Sequence, residues 1–126
     1  MGMTRVTLII KNPSNPQKKA EAKFLVDSGA HYTVIPFSIV KELNLKPVFE
    51  QEFSLADGRI VKRKIGAAII GFEGKELPMP VVLGEKGDEG LLGVLTLENF
   101  GLMLDPFNRR LYKVKLMLAN IKNFND

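Results

Sequence analysis

The chain has 126 residues, with 18 Lys and Arg against 14 Asp and Glu for a formal charge of +4, and 45% of its residues are hydrophobic. That length suffices for one hydrophobic core, and the balance of apolar to charged residues excludes a largely disordered chain. Zero cysteines exclude disulfides, thiol catalysis and thiolate metal sites, and the single histidine, His31, removes multi-histidine zinc geometries.

No apolar run approaches the roughly 18 residues that a membrane-spanning helix needs. Residues 1–10 lack a basic start followed by a long apolar block and a cleavage site, so a cytoplasmic protein with no membrane partner is expected. The mild positive charge favours solubility over a dedicated nucleic-acid binder. Carboxylates are left as the main catalytic groups.

In chain order, residues 4–10 are rich in β-branched side chains and residues 20–26 end in an apolar run. The cluster Asn12-Pro13-Ser14-Asn15-Pro16 between them predicts a long-looped hairpin. Residues 36–45 space Phe37, Ile39, Val40, Leu43 and Leu45 as a helix of two turns, stopped near Asn44. Strand character returns at Val48, and Ala56-Asp57-Gly58-Arg59 turns it back along residues 60–64, a strong hairpin signal. A second hairpin is expected over residues 65–83, with Pro78 and Pro80 marking an edge. Residues 84–90 read as a mobile polar loop, 91–93 as a brief strand and 95–100 as a helical turn. Residues 110–118 alternate, with Tyr112, Val114, Leu116 and Leu118 on one face. The expectation is an all-β, closed or nearly closed barrel with one or two short helices, formed by residues 1–126 as one domain with 119–126 as a candidate C-terminal tail.

The chemistry concentrates in Phe24-Leu25-Val26-Asp27-Ser28-Gly29-Ala30, followed by Thr33-Val34-Ile35-Pro36. An apolar strand delivers one carboxylate into a Ser-Gly turn, where backbone N–H groups can hydrogen-bond it and Gly29 permits close backbone approach. Taken alone, Asp-Ser-Gly reads first as a plain β-turn, since all three residues are turn formers.

With its context, the segment resembles the active-site loop of the retropepsin-like aspartic proteases. Leu91, Leu92 and Gly93, followed by a short helical stretch, resemble that family's second motif, and the Asp57-Gly58 hairpin falls where the family places its flap. Residues 101–106 and 109–111 are similar to the closing strand and turn of small cellular and prokaryotic members. The resemblance implies an aspartic endopeptidase that hydrolyses extended peptides or unfolded proteins and needs no cofactor and no metal.

Such hydrolysis requires two carboxylates sharing a proton, one activating a water while the other polarises the scissile carbonyl. Two like charges so close titrate in separate steps, as aspartic proteases exemplify, which places the expected activity at acidic to mildly acidic pH. This chain has one Asp-Ser-Gly, so the resemblance implies a homodimer in which Asp27 from each subunit completes the dyad. Ser28 would hydrogen-bond across the axis, Gly29 would offer its N–H to a carboxylate, and Ala30 would complete the loop. Ala56, Asp57 and Gly58 would lie near the flap tip over a substrate read by main-chain pairing. The sequence departs from the family in having Ser at 28 where Thr is commoner, no aromatic near the flap tip, and Val94 where some members carry a charge.

Other features are read more simply. His31 is taken as a solvated loop residue, because no nucleophile-base-orienter trio can be named. Lys62-Arg63-Lys64 and the cluster Arg109, Arg110, Lys113 and Lys115 are taken as solvated strand faces with no nucleic-acid partner. Glu85, Asp88 and Glu89 fit no calcium loop. Two further functions stay open on the sequence: a catalytically inactive dimerising or peptide-binding module on the same fold, and an unrelated barrel binding nucleic acid through its basic strands.

Overall fold

The computed structural model describes residues 4–118. Strands β1 (Arg5–Asn12) and β2 (Asn15–Val26) form an antiparallel hairpin in which Arg5 faces Leu25 and Lys11 faces Lys19. Alternation decides which side chains go inward: Leu8, Ile10, Phe24 and Val26 are buried, while Thr7 and Ile9 point out. The expected long loop between these strands is instead a turn of two residues, Pro13 and Ser14. Asn12 closes it, accepting the Ser14 N–H on Oδ1 at 2.7 Å and donating from Nδ2 to the Leu43 carbonyl at 2.8 Å. Pro16 is tolerated because the register shifts at the hairpin end and residues 16–18 have no partner on β1, so its missing N–H breaks no rung.

Strand β3 (Val34–Ile35) leads into helix α1 (Phe37–Leu43), which buries Ile39 and Leu43 and stops at Asn44 in the left-handed conformation. Strands β4 (Pro47–Ser54), β5 (Ile60–Phe72) and β6 (Lys75–Leu83) follow as two hairpins. Strand β7 (Leu91–Leu92), helix α2 (Val94–Asn99), β8 (Leu102–Asp105) and β9 (Arg110–Lys113) complete the described chain.

The pairing order β1-β2-β7-β3-β6-β5 closes on itself because β5 also pairs with β1, Ile9 facing Gly71. Strand β4 hangs outside this ring on the first half of β5, and β8–β9 is a separate two-stranded sheet. The fold is all-β with two short helices. Leu8, Ile10, Phe24, Ile35, Ile70 and Val81 are each 0% exposed within one apolar cluster. Removing several methylenes at any of these sites costs about 2–5 kcal/mol.

Pro78 and Pro80 occupy the edge position the sequence predicts. They share strand parity with Val82 and Gly84, whose N–H groups point away from β5 to the carbonyls of Thr33 and Ile35. Over residues 75–81 that side of β6 has no strand neighbour among the described residues, so the missing proline donors leave no gap in the ladder.

Two further expectations are corrected. The strand over 110–118 ends at Lys113: β8 offers only four residues of partner, so residues 114–118 form no strand and Leu116, Met117 and Leu118 are exposed. The segment 84–90 is not a free loop. It is braced by Arg63, whose Nε and Nη2 donate to the two Asp88 oxygens at 2.6 and 2.9 Å. The candidate tail, 119–126, lies outside the described residues.

Candidate active site

Residues 27–33 connect the end of β2 to β3, and β7 slots between those two strands. It runs parallel to β2, with Leu91 beside Leu25 and Leu92 beside Val26, and antiparallel to β3, with Leu91 beside Val34. The Asp27 N–H donates to the Leu92 carbonyl at 3.0 Å, so the second motif fixes the backbone that carries the carboxylate. Gly93 comes so near the loop that a Cβ there would lie 2.4 Å from the Tyr32 carbonyl oxygen and 2.9 Å from that of Ala30.

Helix α2 has no side-chain cap. Its first amides instead donate to the loop, Val94 to the Ala30 carbonyl at 2.8 Å and Leu95 to that of His31 at 2.9 Å. Beneath them Thr33 and Thr96 are 0% and 1% exposed, with hydroxyls 2.6 Å apart. One proton order satisfies every group: the Gly93 N–H donates to Thr33 Oγ1, Thr33 donates to Thr96, and Thr96 donates to Met79 Sδ. The loop is thus clamped from below by hydrogen bonds that have no access to water.

On this support Asp27 is half-buried, while Ser28 and Gly29 are exposed. The Gly29 N–H donates to Asp27 Oδ1 at 2.8 Å, and the Ala30 N–H donates to the Asp27 carbonyl at 3.1 Å. The fold therefore brings Asp27, Ser28, Gly29 and Ala30 together with Leu91, Leu92 and Gly93. Asp27 is the only carboxylate in 27–33.

Ala56, Asp57 and Gly58 form the tip of the β4–β5 hairpin. Asp57 accepts the Arg59 N–H at 3.0 Å and its Nε–H at 2.7 Å, and Gly58 takes a φ of 88°. Among the described residues no hydrogen bond or ion pair joins this tip to the Asp27 loop. The hairpin has two faces. Outward, Glu50 opposes Lys64 and Glu52 opposes Lys62, a ladder of alternating charge. Inward, Phe53 opposes Val61, and the Phe53 ring stands edge-on to Tyr32 with centroids 6.0 Å apart at 88°. Tyr32 in turn meets the exposed His31 at 5.0 Å and 82°. Sequence reading missed Tyr32 and Phe53, because it sought an aromatic at the tip and not on the inner face below it.

Arg63 is the inward member of the basic run. Its hydrogen bond to Asp88 raises the guanidinium pKa and is the main cause holding the Asp88 carboxyl below its ordinary range, with burial opposing. Glu85 lies 3.7 Å from the same guanidinium and Glu89 lies 3.2 Å from Arg5. The acidic residues of 84–90 are therefore ion-paired, and among the described residues no group of three or more His, Asp or Glu is arranged to hold a metal ion.

A strand-borne Asp-Ser-Gly loop interlocked with an inserted strand and helix, beneath a projecting hairpin, defines the acid-protease class of fold. The sequence profile of the family described as "gag-polyprotein putative aspartyl protease" matches residues 17–99, and the chain belongs to this family of retropepsin-like aspartic proteases. No curated protein matches the chain. Among solved structures, EIAV protease complexed with the inhibitor HBY-793 superposes with a TM-score of 0.61 at 15% identity, covering 93% of this chain and 94% of that one. The retroviral protease-like domain of Ddi1 from Leishmania major gives 0.59 at 15% identity, covering 92% and 91% respectively. A retropepsin-like aspartic protease from Rickettsia conorii gives 0.49 at 16% identity, covering 83% and 89%. The first two of these likenesses establish the fold.

Proposed function

We propose that the protein is an aspartic endopeptidase, active as a homodimer in which Asp27 of each subunit supplies half of the dyad. The observation that carries this reading is Asp27 itself: a half-buried carboxylate at a strand end, oriented by the Gly29 amide, in a loop with no second carboxylate. A second copy related by a two-fold axis through the loop supplies what one chain lacks. With one Asp27 ionised and the other protonated, the ionised oxygen takes a proton from a water that attacks the scissile carbonyl carbon. The protonated oxygen donates to the carbonyl oxygen as it gains charge. Proton delivery to the amide nitrogen then accompanies C–N cleavage. The Gly29 N–H holds the carboxylate in place throughout, and Ser28 hydrogen-bonds its counterpart across the axis, a role its exposure beside Asp27 supports.

The hairpin tip at Ala56, Asp57 and Gly58 covers an extended peptide, whose backbone it pairs as an added strand. The test is cleavage of a diverse peptide library, read by mass spectrometry at several pH values, for wild type and Asp27→Asn. Wild type should cleave most rapidly in acid, and the variant should lose about 10³-fold or more while remaining a folded dimer. Peptide binding by a folded wild-type dimer without cleavage at any pH would overturn the enzymatic reading and leave a peptide-binding module.

A further inference from the structure

The two-faced hairpin carries a consequence for the position of the flap. Every residue of β4 is exposed except Phe53, and Phe53 is the residue whose ring meets the Asp27 loop. Across the hairpin its neighbour Val61 is half-buried on the same inner face, whereas Glu50, Glu52, Lys62 and Lys64 form the outer face. Nothing else among the described hydrogen bonds, ion pairs and ring contacts ties the outer part of this hairpin, residues 51–61, to residues 27–33. Tyr32 is itself fixed: the His31 carbonyl before it accepts from Leu95 of α2, the Thr33 carbonyl after it accepts from Val82 of β6, and its own carbonyl lies against Gly93.

We propose that the edge-on Tyr32–Phe53 contact is the latch that sets how far the flap stands from Asp27, making Tyr32 and Phe53 positioning residues. An edge-to-face pair with one ring on rigid backbone and the other on a pliant hairpin contributes about two- to tenfold in the closed-to-open ratio. His31 also stands edge-on to Tyr32, with centroids 5.0 Å apart. The latch rests on the proteolytic reading only for its effect on turnover; as a contact that holds the hairpin down it stands alone.

Amide hydrogen exchange of the intact protein, followed by mass spectrometry, measures this without any substrate. In Phe53→Ala, peptides covering residues 50–63 should exchange about two- to tenfold faster than in wild type, while those covering residues 5–12 and 20–26 stay unchanged. Tyr32→Ala should produce the same acceleration, the double variant no more than either alone, and Phe53→Tyr should restore the wild-type rate. Unchanged exchange in Phe53→Ala overturns the latch, as does additivity of the two alanine variants. Acceleration spread equally over the whole chain also overturns it, since that reports a loss of global stability. Where wild type cleaves a peptide, the latch further predicts that Phe53→Ala raises KM several-fold with little change in kcat. Absence of cleavage would count against the proteolytic reading alone, because the exchange rates decide the latch.

Discussion

Around Asp27, β2, β7 and β3 each have a bonded neighbour on both sides, and the hydroxyls beneath the loop are sealed from water. In the β4–β5 hairpin one strand lies outside the ring and nearly all of it is exposed. The first region packs backbone against backbone at Gly93, where an added Cβ would lie 2.4 Å from the Tyr32 carbonyl oxygen. The second carries few buried apolar contacts, which fits the role proposed for it as a flap that opens and closes. Substitutions in the first should therefore be read in stability, and those in the second in substrate handling.

The sharpest test of this contrast is Gly93→Ala. The added methyl meets Tyr32 backbone at 2.4 Å, and backbone cannot rotate aside, so the variant should lose about 3 kcal/mol or more. Chemical denaturation, or failure to recover soluble folded protein, would register it. Retention of full stability would show that the loop is looser than its contacts indicate.

Thr33→Val should follow. It keeps the shape but strips the acceptor from the Gly93 N–H and the partner from Thr96, both buried, for a loss of about 1–3 kcal/mol in unfolding free energy, read by chemical denaturation. A smaller loss is expected for Asp88→Asn, about 1 kcal/mol or less, because the Arg63 pair is only partly shielded from solvent. Its pH dependence has a definite sign. The folded carboxyl titrates below its ordinary value of 3.8, so its contribution is full above that value and disappears as pH falls towards the lowered one. Wild type and variant should differ in thermal midpoint at neutral pH and converge in strong acid.

The smallest effect on stability belongs to the tip of the β4–β5 hairpin, the proposed flap. Asp57→Ala removes the turn contacts with Arg59, whose side chain is 72% exposed, and should leave the unfolding free energy within about 0.5 kcal/mol. The same variant should raise KM for a cleaved peptide, so that a stability change without a KM change would reverse the roles assigned to the two regions.

Much of the site region was legible because it depends on local patterns: an apolar run into Asp27-Ser28-Gly29, and Leu91-Leu92-Gly93 before a short helix. What was not legible depended on neighbours. The alternation at Tyr112, Val114 and Leu116 is a property of one chain segment, whereas a strand exists only as far as another strand accompanies it, and β8 ends after four residues. Polar, glycine-rich residues 84–90 looked free because the charge that holds Asp88 lies on β5, far away in sequence. The turn at Asn12 was overestimated because two prolines looked like loop, although Pro16 has only to avoid a position where its missing N–H would be needed. Tyr32 and Phe53 belong together only once the hairpin folds over the loop.

The insertion of β7 between β2 and β3 also bears on how the protein comes into being. During synthesis β2 and β3 emerge well before the segment that must lie between them, so the Asp27 loop stays unclamped until Leu92 and α2 have been made and threaded into place. Such late, long-range pairing slows folding relative to the local β1–β2 hairpin. A nascent chain interrupted before Gly93 would carry Asp27 without the backbone that fixes its loop, so incomplete polypeptides lack the finished Asp27 loop.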